Sequence, residues 1–361
     1  MRAADRATIE EFGIPSFALM ETASRGAFAA IEERYGPSGG LAAVVLAGKG
    51  NNGGDALALA RMLSIAGARV LVVTTAGANG ATTDCAHNLA LLAALEDDEL
   101  CLLDIEHADM GAIPWELVDR WRASGAGTRK EVCIDGLLGI GATSELRGAI
   151  GDLAQLTAEF EDVVALDIPT GIQSDSGKAL DARSVEADMT VAMGALKPGL
   201  LLGEGRLHAG EVVVVDIGIP PSILAQGAES PGGAWVLGDS SVAALLPERT
   251  MQDHKFSVGQ LVVVAGSEQY PGAAVLACRS AARAGAGYVT CVASPCTIRA
   301  LDANAPEVAC VKRGPEPGRW LADFPRAQAI VAGPGLGEDA LPWSRAPFPI
   351  SRSQPFSMRT R

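Results

Sequence analysis

One stretch limits the folds open to this chain more than any other: Val44-Val45-Leu46-Ala47-Gly48-Lys49-Gly50-Asn51-Asn52-Gly53-Gly54-Asp55, followed at once by a helical pattern over 56–66. An apolar run that ends in a glycine-rich turn and opens a helix is the strand–loop–helix order of a nucleotide-type site. The glycines let backbone N–H groups approach a phosphate with no Cβ in the way, and the helix start adds free N–H groups and partial positive charge. Gly48, Gly50 and Gly53 fit G-x-G-x-x-G. A diphosphate loop has no need of two amides and a carboxylate packed together. Asn51, Asn52 and Asp55 suit a loop that also holds a cation or a polar ring.

A strand over 41–46 leads into this loop. Further strands are expected over 70–74, 100–103, 131–138, 163–168, 189–193 and 212–217. Helices are expected over 85–95 and 115–122, and one or two over 3–34, broken at Gly13-Ile14-Pro15. That alternation predicts an α/β fold with a mostly parallel sheet and ligands at the carboxyl ends of its strands. Three of those ends are polar. The first carries Asn51, Asn52 and Asp55. The fourth carries Asp135 and a second glycine loop, Gly139-Ile140-Gly141-Ala142-Thr143-Ser144-Glu145. The fifth carries Asp167 and Thr170. In an open sheet they converge on one cleft. The plainer alternatives are that Asp135 and Asp167 each cap a following helix and that Asn52 is only a turn residue.

The bulk numbers narrow the function. At 361 residues two domains are the natural expectation. A net charge of −14 argues against nucleic acid or an anionic membrane as partner. Seven cysteines, without a C-x-x-C pair, read as free thiols in a reducing compartment, hence the cytoplasm. The four histidines form no zinc pattern. The N-terminus has no signal-type apolar core, and no apolar run has the length of a membrane span. A dehydrogenase would want an acid at the end of the second strand, where Thr74-Thr75-Ala76-Gly77 stands. There is no G-x-x-x-x-G-K-[ST] and no G-x-S-x-G, so neither a P-loop ATPase nor an α/β-hydrolase is indicated.

Together, the first loop, Asp135-Gly136-Leu137-Leu138-Gly139-Ile140-Gly141 and Asp167-Ile168-Pro169-Thr170-Gly171 resemble the NAD(P)H-hydrate epimerase family, the YjeF N-terminal domain. Phe17-Ala18-Leu19-Met20-Glu21 and Ala195-Leu196-Lys197-Pro198-Gly199 resemble two further segments of it, and the likeness covers about 2–220. Met1 falls slightly inside the family's usual start, so a short missing leader is expected. The resemblance implies a Rossmann-like fold and interconversion of the R and S epimers of hydrated NADH or NADPH. It implies that Asn51, Asn52, Gly53, Gly54, Asp55 and the residues Gly139, Ile140, Gly141, Ala142, Thr143, Ser144 and Glu145 bind the damaged dinucleotide, with Asp167 also in contact. It further implies a potassium ion (K+) on Asn52, Asp135 and Thr170, and a homodimer. Thr170 stands where the family more often has Ser, and Glu21-Thr22-Ala23-Ser24 departs from the commoner Glu-Asn-Ala-Gly. Loss of the ring hydroxyl as water and its re-addition on either face would swap the epimers, and Asp167 is the expected proton donor and acceptor. The alternative is a dinucleotide-binding module without turnover.

Residues 220–234, rich in Pro, Gly and Ser, have the make-up of a linker. A second α/β pattern follows, with strands over 261–265, 288–293 and 329–332 and a helix over 271–284. Over about 235–337 it resembles the start of the ADP/ATP-dependent NAD(P)H-hydrate dehydratase domain, a ribokinase-like fold. His254, Gly266 and residues 333–337 are the expected remnants of its substrate site. Residues 338–361 are basic and Pro-rich, with no acid after Asp339, and read as an atypical tail, translated out of frame or spliced from elsewhere; the plainer alternative is a genuine disordered tail. The Gly-Gly-x-Gly-Asp element of that family is not found. The expectation is an incomplete domain with no ADP or ATP site and no dehydratase activity.

Overall fold

Seven parallel strands make the first sheet: β1 (Leu41–Ala47), β2 (Arg69–Thr74), β3 (Leu100–Asp104), β4 (Lys130–Gly136), β5 (Val163–Leu166), β6 (Met189–Met193) and β7 (Glu211–Val215). They run in the order β3-β2-β1-β4-β5-β6-β7. The computed structural model describes residues 1–77, 80–105, 113–125, 129–229, 233–246, 248–314 and 324–337. It divides into two units, Met1–Val236 and Leu237–Arg361.

β1 is buried along its whole length. Its near-continuous apolar run, rather than an alternating one, follows from cover on both faces. Ala43, Val45 and Ala47 join one core layer with the helices Ser16–Tyr35 and Asn51–Ile65. Ala42, Val44 and Leu46 join the other, with Leu153 of the helix Gly148–Leu156 and Val118 and Trp121 of the helix Ile113–Ala123. The chain reverses its winding between β1 and β4, so the crevice for a ligand opens above those two strands.

The expected elements of this unit are present to within a few residues, the helix Gly148–Leu156 was not expected, and two assignments differ. β4 ends at Gly136 and β5 at Leu166, so Leu137, Leu138 and Ile168 belong to the loops beyond them. Residues 221–229 are not linker but the helix Pro221–Glu229, whose Ile223 and Leu224 pack on the first core layer. Pro221 opens it, where a missing N–H costs nothing, so a residue that reads as a breaker is here a helix start.

The second unit holds a four-stranded parallel sheet, β8 (Gln260–Val264), β9 (Tyr288–Ala293), β10 (Ala309–Lys312) and β11 (Ala327–Ala332), ordered β10-β9-β8-β11. The helix Pro295–Asn304 and β10 were not expected from the sequence. Ser294, which accepts a hydrogen bond from the Thr297 N–H, and Pro295 at the first helical position are the start signal that could have found the helix. The atypical tail at 338–361 lies outside the described residues. Among the described residues no helix is long and apolar enough to cross a membrane.

Candidate active site

The loop after β1 is shaped by close backbone approach. A Cβ on Gly48 would stand 2.0 Å from the Leu137 carbonyl oxygen, and one on Gly53 would stand 1.7 Å from that of Gly48. Glycine at 48 lets the loops after β1 and β4 lie against each other, and glycine at 53 lets the helix start fold back onto the loop after β1. Gly53 and Gly54 are buried here and shape the loop; neither is part of the cavity wall. Asn51, Asn52 and Asp55, in the first turns of the helix Asn51–Ile65, do form that wall.

The cavity has a volume of about 880 Å³, within the range of sites for small organic ligands. All of Gly139, Ile140, Gly141, Ala142, Thr143, Ser144 and Glu145 line it, as does Asp167. Met1, Arg2, Asp5 and Ile9 of the N-terminal segment close another side. Arg2 donates from Nη2 to the Ile140 carbonyl at 3.0 Å and ties that segment to the second glycine loop. The departure at Glu21-Thr22-Ala23-Ser24 is absorbed by packing. Ser24 is fully buried and donates to the carbonyls of Met20 and Asp55, while Glu21 pairs with Arg61.

Asp167 is the one non-glycine residue with positive φ (+69°) among the described residues. A left-handed aspartate is uncommon, and such strain concentrates where a side chain must be aimed. Here the turn out of β5 aims the carboxylate at Lys197, which is 4% exposed and ion-pairs with Oδ1. Lys197 also donates to the Met193 carbonyl at 2.9 Å. Asp167 Oδ2 lies 3.4 Å from where a Cβ on Gly139 would stand, and so does Asn52 Cβ, which brings the loops after β1, β4 and β5 to one point.

Two more carboxyls face the same cavity. Burial, and then the neighbouring charges of Asp167 and Asp5, push the Asp55 carboxyl well above the usual carboxylate range. Burial also raises Asp5, against the pull of the N-terminal ammonium, while Asp167 raises it and Lys197 lowers it. Three carboxyls thus share one buried ammonium. Neither Asp5 nor the Lys197 partnership was expected; Lys197 stood in a segment singled out only by resemblance, and Asp5 carried no local signal.

Asp135 and Thr170 lie behind the wall, both fully buried. Asp135 Oδ2 accepts from the Thr170 N–H at 2.8 Å, and Oδ1 from the Thr170 hydroxyl at 2.7 Å and the Leu137 N–H at 3.1 Å. Burial pushes this carboxyl up to about 6, opposed by those hydrogen bonds. Asp135 caps no helix: the next one, Gly148–Leu156, begins after Arg147. Asn52 is 8% exposed, and both its side-chain N and O are buried without a partner. The orphaned Asn52 amide oxygen and the buried Asp135 carboxyl, which has no ion pair among the described residues, are oxygen donors of the kind a hard cation such as K+ takes. Among the described residues no group of three His, Cys, Asp or Glu gathers in the manner of a metal cluster.

Comparison with known proteins places these features. The family described as YjeF-related protein N-terminus matches residues 16–199, and that described as NAD(P)H-hydrate dehydratase matches 261–355, running past Gly337. A bifunctional NAD(P)H-hydrate repair enzyme of Salinibacter ruber is 44% identical over 93% of this chain and 63% of its own length. An NAD(P)H-hydrate epimerase of Limosilactobacillus fermentum is 34% identical over 60% of this chain and 93% of its own. One from Rhodopirellula baltica is 34% identical over 63% and 85%. The chain spans less than two thirds of the bifunctional relatives' length. With a seven-stranded Rossmann-like unit that matches the first family and a parallel-sheet unit that matches the second, the chain belongs to the YjeF N-terminal family, joined to a segment of the NAD(P)H-hydrate dehydratase family.

Proposed function

We propose that the first unit epimerises hydrated NADH and NADPH. The observation that carries the reading is the convergence of three strand ends on one cavity, where Asp167 is strained toward a buried lysine beside Asp55 and an orphaned Asn52 amide. The hydrated ring bears a hydroxyl on a carbon next to nitrogen. Protonated, that hydroxyl leaves as water, and the nitrogen lone pair stabilises the ring cation. Water added to the opposite face, with loss of one proton, gives the other epimer, so atoms and charge balance.

The proton must be given and taken back at the same place. Asp167 is the candidate to carry that proton, since it lines the cavity and Lys197 at its Oδ1 holds the carboxyl in place. When Asp167 has given it up, its carboxylate faces the ring cation. Asp55 supports a second assignment, because it has no cation of its own and burial favours its neutral form. Asn52, Asp135 and Thr170 would hold a potassium ion, which supplies a fixed positive charge beside the site when bound.

The test is to incubate one purified epimer of hydrated NADH with protein and potassium and to follow the epimers over time. Epimerisation well above the spontaneous rate is expected. No acceleration by a folded, ligand-binding protein would replace this reading with that of a binding module. Asp167→Asn should lower kcat by about 10²–10⁴ with little change in binding. If Asp55→Asn gives that loss and Asp167→Asn does not, the proton role belongs to Asp55. With ADP or ATP added, the same tube reports dehydration. For this chain by itself none is expected, because it carries no Gly-Gly-x-Gly-Asp element; recovery of NADH absorbance would overturn that.

A further inference from the structure

The cavity has a second end that the chemistry above leaves unused. It lies beyond β1, where the end of β2 contributes Thr75 and the start of the next helix contributes Thr82, with Lys49 from the loop after β1. The Thr75 hydroxyl is buried with no hydrogen-bond partner. Thr82 precedes the helix Thr83–Ala93 and makes no side-chain cap bond, and its hydroxyl has no side-chain hydrogen bond among the described residues. Lys49 is exposed to the cavity, and its Nζ lies 3.6 Å from where a Cβ on Gly80 would stand. Among the described residues Lys49 has no ion pair. The backbone holds the group in place: the Thr75 N–H donates to the Ala47 carbonyl at 2.9 Å, and the Thr82 N–H to the Lys49 carbonyl at 3.0 Å.

In a Rossmann crevice the end of β2 meets the ribose of the adenosine half. A carboxylate there hydrogen-bonds a free 2′-hydroxyl, whereas a cation accommodates a 2′-phosphate. We propose that Lys49, Thr75 and Thr82 form a subsite for the 2′-phosphate, so that the protein prefers hydrated NADPH to hydrated NADH. The inference rests on the reading of the cavity as a site for hydrated NAD(P)H.

Two further observations set the direction of the bound dinucleotide. The strand order places β2 three spacings from β5, or about 14 Å, so the reacting ring at Asp167 and the ribose at Thr75 sit at opposite ends of the cavity. Asp5 lies close to Asp167 at the β5 end, with Asp55 within electrostatic reach of both, and a dianionic phosphate would be repelled there. Asp84, in the first turn of the helix Thr83–Ala93, accepts a hydrogen bond from Ser16 and is not part of the wall. The competing cations of the wall are Arg147 and Arg2, both beside the second glycine loop.

Calorimetric titration of the full chain with adenosine 2′,5′-bisphosphate and with AMP tests the subsite without any turnover. The bisphosphate should bind about tenfold more tightly or better, the effect of one charge-assisted contact. Lys49→Met should close most of that gap, Lys49→Arg should keep it, and Thr75→Val should narrow it. Arg147→Met should leave it intact, with unchanged melting temperatures showing that each variant is folded. Equal binding of the two ligands, or a gap that survives Lys49→Met, overturns the proposal. Loss of the gap in Arg147→Met alone also overturns it, by placing the phosphate at the second glycine loop. A protein that shows the Lys49-dependent gap but epimerises nothing would keep the subsite and lose the epimerase reading, so the two failures are distinct.

Discussion

β1 and β11 are apolar runs of similar length, Leu-Ala-Ala-Val-Val-Leu-Ala and Ala-Gln-Ala-Ile-Val-Ala, yet every residue of β1 is buried while five of the six in β11 are exposed. β1 is central in its sheet, with helices on both faces. Among the described residues β11 is an edge strand paired on one side only, to β8, and Ile330 and Val331 are 38% and 40% exposed. The difference teaches that an apolar run specifies a strand, and that what packs on it decides whether the strand is core. Polar chemistry divides in the same way. Three carboxyls, a buried lysine and an orphaned amide meet at the strand ends of the first unit. At the strand ends of the second, the described contacts are mostly hydroxyl and backbone, such as Ser294 with Thr297 and Arg313 with the Gly266 carbonyl.

This contrast can be broken or sharpened by substitution. The largest effect is expected at Gly53→Ala, where the new Cβ meets the Gly48 carbonyl oxygen and neither backbone can yield. A loss of about 3 kcal/mol or more is expected, with loss of dinucleotide binding, read by denaturant unfolding and calorimetry. Its counterpart, Gly272→Ala in the helix Pro271–Arg283, meets open space and should be neutral or stabilise by about 0.5–1 kcal/mol. Next, Leu46→Ala, at a fully buried site, should cost about 2–5 kcal/mol, whereas Ile330→Ala on β11 should cost less than about 1 kcal/mol. Equal costs would mean that β11 is covered in solution.

The smallest effect concerns potassium. The Asp135 carboxyl is raised to about 6 in the folded protein, so without a cation the native state holds that proton more tightly than the unfolded chain does. Its stabilising contribution is fully present below the unfolded value near 3.8 and is lost as pH rises through about 6. At the proposed site a bound potassium ion would take the place of that proton. Potassium chloride, compared with tetramethylammonium chloride, should therefore raise the melting temperature by roughly 2–8 °C at pH 7.5 and by much less at pH 5. A shift independent of pH would remove Asp135 from the ion site.

Much of the architecture was legible in the sequence. The runs at 41–46, 70–74 and 189–193 name their strands because strands covered on both faces must be apolar throughout. The glycines at 48 and 53 announce a tight loop because only they allow such backbone contact. The helix Pro221–Glu229 was missed because Pro, Gly and Ser mark a linker by composition, while Ile223 and Leu224 find a core only in the folded unit. The helix Pro295–Asn304 was missed although Ser294-Pro295 announces it.

What the sequence by itself determined is the order of elements and the polar residues at the ends of β1, β4 and β5, since both follow from local patterns along the chain. What only the tertiary structure decided is which of those residues meet. Asp167 and Lys197 are thirty positions apart and join because β5 and β6 are neighbours and Asp167 takes a left-handed turn. Asp5 reaches the cavity from the first helical segment, and Lys49 and Thr75 share its far end because β1 and β2 pair in register. These are through-space relations set by packing between segments distant in sequence, and no local propensity encodes them.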